Sequence, residues 1–140
     1  MPAGGDEPAR ETNPQFDHEL DFLARLTEAM AARDPGEPIL VAGDLNVAPG
    51  EFDVWSHKQM SRVVSHTPIE CAAMEGLRQS LGFVDLVRAA RPNPEKLFSW
   101  WSYRAQDFRA SGRGLRLDHL WASPALASRL RKDAEPARIH

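Results

Sequence analysis

A short apolar run, Pro38-Ile39-Leu40-Val41-Ala42-Gly43, delivers Asp44 and Asn46 two residues apart into a loop rich in proline, glycine and acid. A carboxylate resists leaving water unless it is paired. An acid at the end of a buried strand is therefore either solvated or put to use. The residue types in Gly43-Asp44-Leu45-Asn46 define what that use would be. Glycine lets the backbone approach closely. The carboxylate can accept a proton or bind a metal, and the amide can donate to a phosphate oxygen. The bland alternative is a strand-end aspartate closing an Asx-turn, as many such tetrapeptides do.

Asp118 is the second candidate, in the middle of Leu-Arg-Leu-Asp-His-Leu. Either it pairs with Arg116, which faces the same way two residues earlier, or it orients a histidine or a metal ligand. His119 points to the opposite strand face and reads as an ordinary packed polar residue. The aromatic group Phe98, Trp100, Trp101 and Tyr103 is the third. With the two tryptophans on opposite strand faces, one packs in the core and one stays exposed. An exposed aromatic beside Arg104 suits stacking on bases or filling a gap in a duplex. His57, His66 and Trp55 lack a partner at metal-ligand spacing and read as loop structure.

The elements that must position these residues follow from local chemistry. Asn13-Pro14 is an N-cap followed by proline at the first helical position. Phe16, Leu20, Leu23, Leu26 and Met30 then form one apolar stripe, and Asp34-Pro35-Gly36 ends the helix. Residues 38–43 are too short for a helix, and their unbroken apolarity predicts a strand covered on both faces, with Asp44 and Asn46 at its end. Thr67-Pro68-Ile69-Glu70 is a capping box. Ile69, Ala73, Leu77 and Leu81 form its stripe, and Gly82 is a left-handed stop.

Residues 83–90 predict a short helical piece before Arg91-Pro92-Asn93-Pro94. Residues 97–104 read as an aromatic-rich strand. Ser111-Gly112-Arg113-Gly114 supplies a turn. Residues 115–122 form another strand, with Leu115, Leu117, His119 and Trp121 on one face. Ser123-Pro124 repeats the cap-plus-proline start, and a basic helix follows. Interleaved helices and strands make the class α/β.

Length and composition bound the rest. The 140 residues suffice for one domain with one core. Cys71 is the single cysteine, which excludes an intrachain disulfide framework and is compatible with a reducing cytoplasm. No window approaches the apolar length of a membrane span, and residues 1–10 read as a loop or disordered tail. The net charge of −3 argues against a generic polyanion binder. Its distribution is uneven. Residues 88–132 hold ten Lys/Arg against three acids, a balance of +7, while the remainder holds seven against seventeen. That asymmetry fits a local basic surface for an anionic ligand. On charge alone, a solvated arginine-rich face is the simpler reading.

Taken in order and spacing, VAGDLNVAP, DVWSHK, SHTPIE, FSWWSYRAQDF and GLRLDHLWASPALA resemble the exodeoxyribonuclease III group of the endonuclease/exonuclease/phosphatase superfamily. The resemblance covers about residues 11–132. It implies a four-layered α/β sandwich of two packed mixed sheets flanked by helices. It also implies Mg²⁺-dependent hydrolysis (Mn²⁺ as substitute) of double-stranded DNA: incision at abasic sites, 3′→5′ exonuclease and 3′-phosphatase activity, by a cytoplasmic monomer. By the same resemblance Asp44 matches the aspartate that orients or deprotonates the attacking water and touches the metal indirectly. Asn46 matches the amide that holds the scissile phosphate, and Asp118 the carboxylate that pairs with the catalytic histidine. Trp100 matches an aromatic near the abasic sugar. With Trp101, Arg104 and Arg113 it makes the expected DNA-facing set.

This sequence departs from the family pattern at both ends. The strand asparagine, metal-binding glutamate and catalytic tyrosine of the family have no counterpart here. His140 lacks the Ser-Asp that precedes the family's histidine and is not assigned. The expectation is therefore a C-terminal portion, inactive or nearly so alone, with exposed apolar surface where a sheet lacks its partner. Two rivals stand beside it. One is a phosphoesterase of the same superfamily acting on phospholipid headgroups or inositol phosphates. The other is a non-catalytic DNA-binding remnant.

Overall fold

The side chain of Asn13 accepts hydrogen bonds from the amides of Gln15 and Phe16 and opens α1, Pro14–Ala31. The expected start and stripe are both present, with Phe16, Leu20 and Leu23 buried. A computed structural model of the chain describes residues 1–102 and 112–130. Within them the order is α1, β1 (Leu40–Asp44), a 3₁₀ turn (Glu51–Asp53), α2 (His57–Met60), α3 (Pro68–Leu81), β2 (Val84–Asp85), α4 (Leu86–Ala90), β3 (Trp100–Trp101), β4 (Gly114–Leu115), β5 (Asp118–Ala122) and α5 (Pro124–Ala127). The class is α/β. Among the described residues every strand pair is antiparallel: a three-stranded sheet ordered β1-β5-β2, and a two-stranded one of β3 and β4.

The main core lies between the inner sheet face and the α1–α3 pair. Leu23 of α1, Met74, Leu77 and Leu81 of α3 and Trp121 of β5 meet Leu45, Val47 and Phe83 there. A second cluster of Ala48, Val54, Met60, Leu115 and Leu117 packs beneath the loop that follows β1. α3 carries the predicted capping box of Thr67 and Glu70, and Gly82 stops it at φ 72°, a left-handed conformation that glycine adopts at no steric cost.

Several expectations need correction. β1 is covered on one face only: Leu40 is 54 % exposed and Ala42 is exposed beside it. Ile69 lies outside the core, and the buried line of α3 is Glu70, Met74, Leu77 and Leu81. The reason is chemical, because the Glu70 carboxylate turns inward to accept from the amides of Ser65 and Thr67 and the Thr67 hydroxyl. Residues 83–90 begin as the strand β2 and only then turn helical.

The expected strand 97–104 is reduced to Trp100–Trp101 among the described residues, while Tyr103 and Arg104 lie outside them. Residues 115–122 do not run as one strand. The chain leaves β4 after Leu115 and joins β5 at Asp118, because the buried side chain of Arg116 binds Asp53 and Asp85. Ser123 does not cap α5. Its hydroxyl accepts from Ile39 N and donates to Glu37 O, tying down the entry to β1. Residues 131–140, including part of the expected basic helix and His140, lie outside the described residues.

Candidate active site

β1 ends on Asp44 and β5 begins on Asp118, and the antiparallel register sets these two residues directly opposite one another. Directly paired residues bring their Cβ atoms to about 4.5–5.5 Å, and like charges so placed repel. Both residues are exposed. They share a sheet face with Leu40, Ala42, Leu120 and Ala122, since the side-chain period of a strand is two. The acid pair therefore closes one end of an otherwise apolar face.

Asp44 also makes the turn foreseen as its bland role. Its Oδ1 accepts from Asn46 N at 2.8 Å, leaving Oδ2 as the other acceptor of the carboxylate. Gly43 precedes it at φ 135°, where a Cβ would meet no atom within 4 Å. The demand for glycine here is one of backbone conformation, not of space. Asn46 stands at φ 55° and donates one amide hydrogen to Met1 O at 2.7 Å. The second hydrogen of that NH₂ is a further donor.

Arg116 does not pair with Asp118. Its guanidinium, 1 % exposed, makes a two-pronged contact with Asp53 (Nε–Oδ1 2.8 Å, Nη2–Oδ2 3.2 Å) and another with Asp85 (3.0 and 2.8 Å). Arg88 adds a bond to Asp53 at 2.5 Å. Burial alone would raise the Asp53 carboxyl, but bonds and charge from Arg116, and then Arg88, outweigh it and hold Asp53 below the usual carboxylate range. Arg116 stays charged, since its bonds to Asp85 and Asp53 more than offset burial. This network fixes the connection between β4 and β5, and with it the start of the strand that carries Asp118.

Ser99, passed over in the sequence, ties the aromatic segment to the same place. Its hydroxyl accepts from the amides of Leu117 and Asp118 at 3.0 Å each. The next residue, Trp100, is 39 % exposed. Trp101 is half-buried and stacks edge-on against Phe98, with centroids 6.3 Å apart. An open cavity of about 780 Å³ is lined by Asp44, Asn46, Trp100 and Arg113 together with Trp55, Leu115 and Leu117. Four of the sequence candidates thus share one cavity. Asp118 joins them through its register with Asp44, Trp101 is not among the lining residues, and Arg104 lies outside the described residues.

Trp55, which read as loop structure, lines the cavity. Its backbone is held by Trp55 N to Gly114 O at 3.1 Å and Lys96 Nζ to Trp55 O at 2.9 Å. The Arg113 guanidinium lies 5.0 Å from its ring centroid, a cation–π distance. His57 and His66, nine residues apart, are joined by a 2.7 Å hydrogen bond between Nδ1 and Nε2.

The donors that could meet a divalent ion are the carboxylates of Asp44 and Asp118 and the amide oxygen of Asn46. They are hard oxygens, and Mg²⁺ accepts one or two carboxylates with water and phosphate completing its shell. Among the described residues no group of three or more His, Cys, Asp or Glu side chains forms a closed metal cage.

Comparison with known proteins places the chain in a family. Residues 6–135 match the Endonuclease/Exonuclease/phosphatase family. Exodeoxyribonuclease III of Haemophilus influenzae is 33 % identical over 132 residues, covering 89 % of this chain and 48 % of that protein. The Bacillus subtilis exodeoxyribonuclease is 30 % identical over 116 residues, covering 83 % and 45 %. An AP endonuclease structure from Archaeoglobus fulgidus superposes with a TM-score of 0.80 at 28 % identity, covering 99 % of this chain and 55 % of that one. The chain spans about half the length of the curated relatives it matches. No described helix is long and apolar enough to cross a membrane.

Proposed function

The chain belongs to the Endonuclease/Exonuclease/phosphatase family, and on that footing we propose that it carries the abasic-DNA-handling part of a repair nuclease of exodeoxyribonuclease III type. The observation that carries this reading is the convergence of Asp44, Asn46 and Trp100 on one cavity, with Asp118 set directly across from Asp44. A phosphodiester repels nucleophiles, so its hydrolysis needs an activated water and compensation for developing negative charge.

Asp44 orients or deprotonates that water through the carboxylate that also closes the turn to Asn46. Asn46 gives its free amide hydrogen to a phosphate oxygen. Asp118 holds a partner group on the far side of the acid pair. Trp100 offers an exposed aromatic face to the sugar left by base loss, and Arg113 supplies positive charge at the cavity rim. Asp44 and Asp118 would hold Mg²⁺, in part through water, and the ion would supply the charge compensation that the reaction requires.

The open sheet face supports the sandwich expected from the family. Leu40 and Ala42 lie exposed on the face that ends in the acid pair, and a second sheet packed there would cover them. Because the chain spans about half of its relatives, we place the principal metal ligand and the histidine partner of Asp118 in the part they carry beyond the matched region. On this reading the chain alone hydrolyses DNA slowly or not at all.

A competition assay tests the substrate class. A fluorescent duplex containing a tetrahydrofuran abasic analogue is bound to the chain with Mg²⁺. It is then challenged with unlabelled abasic duplex, intact duplex, inositol phosphates or phosphocholine. Displacement by abasic duplex ahead of every other competitor is expected. Displacement by inositol phosphates or phosphocholine at similar concentrations would move the assignment to a small-phosphoester hydrolase.

A further inference from the structure

Asn46 is the residue on which the phosphate contact depends, and it sits in a backbone conformation that few side chains adopt. A non-glycine residue at φ 55° persists where its surroundings hold it, although asparagine tolerates the region better than most. On the near side, Leu45 N bonds Leu117 O at 2.9 Å and Asn46 N bonds Asp44 Oδ1 at 2.8 Å. On the far side the next two carbonyls are each taken by a buried histidine. His119 Nε2 lies 2.8 Å from Val47 O, and His66 Nδ1 lies 2.6 Å from Ala48 O. Ala48 N completes the far anchor by donating to Ser65 O at 2.7 Å.

The two histidines come from separate places, β5 and the segment before α3, and both are buried. Carbonyl oxygens only accept, so each histidine must carry its proton on the named nitrogen. His119 is thus the Nε2–H form. Burial, and then the charge of Arg116, disfavour its cation. His66 is the Nδ1–H form, which leaves its Nε2 bare to accept from His57 Nδ1 at 2.7 Å. The Cys71 thiol adds a weak contact to Ala48 O at 3.6 Å. None of these bonds belongs to a helix or a sheet ladder. What they fix is the path of the chain immediately after Asn46.

We propose that His66 and His119 are positioning residues for Asn46, gripping the carbonyls of Val47 and Ala48 so that the Asn46 amide is held toward the cavity and its phosphate ligand. The inference rests on the phosphodiester reading given above. Its test separates the two. His119→Leu and His66→Phe remove the donors while keeping bulk, and His119→Gln and His66→Asn return an amide N–H where Nε2 and Nδ1 stood. Long-range ¹H–¹⁵N spectra of the unmodified chain report the imidazole tautomers. A strong intraresidue amide–Hα NOE reports the positive φ of Asn46. Fluorescence anisotropy gives the ratio of affinities for a tetrahydrofuran-containing duplex and the intact duplex.

The expected result is an Nδ1–H tautomer at His66 and an Nε2–H tautomer at His119. The Leu and Phe variants should lower the affinity ratio about threefold to tenfold, the size of one lost hydrogen bond, and weaken the Asn46 NOE. The Gln and Asn variants should recover both. The opposite tautomers, or melting temperatures that fall while ratio and NOE stay put, would overturn the proposal. If the unmodified chain shows no preference for the abasic duplex, the functional reading fails. The tautomers and the NOE series then still decide whether the clamp exists.

Discussion

Asp44 and Asp118 face each other across the β1–β5 register, two exposed carboxylates in one cross-strand pair. Such a pair weakens a sheet instead of strengthening it, a cost that the proposed phosphodiester site would account for. Asp118→Asn should therefore raise the melting temperature in metal-free buffer by about 1–3 °C, from a repulsion of a few tenths to about 1 kcal/mol. It should also abolish any rise in melting temperature produced by Mg²⁺. Differential scanning calorimetry with and without Mg²⁺ checks both. An unchanged Mg²⁺ response would remove Asp118 from the proposed ion site.

Trp100 and Trp101 are neighbours with different duties. Trp100 is exposed at the cavity, whereas Trp101 packs on Phe98. Trp100→Ala should leave stability within about 0.5 kcal/mol while weakening abasic-duplex binding by about 1–3 kcal/mol, the scale of one aromatic contact to a nucleotide. Trp101→Ala should lower stability by about 1–3 kcal/mol with a smaller effect on binding. Urea denaturation and fluorescence anisotropy, run on both variants, would expose a reversed pattern.

The buried guanidinium of Arg116 holds two carboxylates at once, the buried Asp53 and the partly buried Asp85. Removing one partner of such a network leaves uncompensated charge, so Arg116→Ala should destabilise the fold by about 3–5 kcal/mol. The milder Asp85→Asn, which leaves Asp53 paired with Arg88 and Arg116, should cost less. Urea midpoints rank the two, and equal losses would show that the bonds of Arg116 to Asp53 add nothing to stability.

Glu19 of α1 is fully buried, and among the described residues no donor group reaches either of its carboxyl oxygens, so its charged form goes unsatisfied while its protonated form can share a hydrogen bond with Glu70. Burial, and then the neighbouring Glu70, push its carboxyl up to about 9 from an ordinary 4.5. The folded chain therefore retains a proton that the unfolded chain releases. The stability linked to Glu19 is full below about pH 4.5 and declines as pH rises toward 9. Glu19→Gln should flatten that decline and raise the melting temperature at pH 8. Melting curves from pH 5 to 9 with the same slope in both proteins would contradict this assignment.

Local chemistry made much of this fold legible. Asn13-Pro14, the Thr67–Glu70 box and Gly82 bounded two helices, because caps and stops act over three or four residues and leave a sequence trace. Asp44 at a strand end and an exposed tryptophan in Trp100-Trp101 were readable for the same reason. Long-range pairing was not. Arg116 finds Asp53 and Asp85 at separations of 63 and 31 residues, and nothing local distinguishes that from a bond to Asp118. Glu70 was hidden by its polarity, since apolar periodicity favours Ile69 although the carboxylate is what the buried amides require. The grip of His66 and His119 on successive carbonyls, and the approach of Trp55 to the cavity, depend on how separate segments fold over the loop after β1.

The most direct measurement is the affinity of the chain for a duplex with one tetrahydrofuran site against the intact duplex of the same sequence. It would be taken at fixed salt with Mg²⁺, for the unmodified chain and for Asn46→Ala. The expected result is a clear preference for the abasic duplex that Asn46→Ala largely removes. Equal binding to both duplexes, unchanged by the substitution, would contradict the central claim and leave a charged surface without a phosphodiester site.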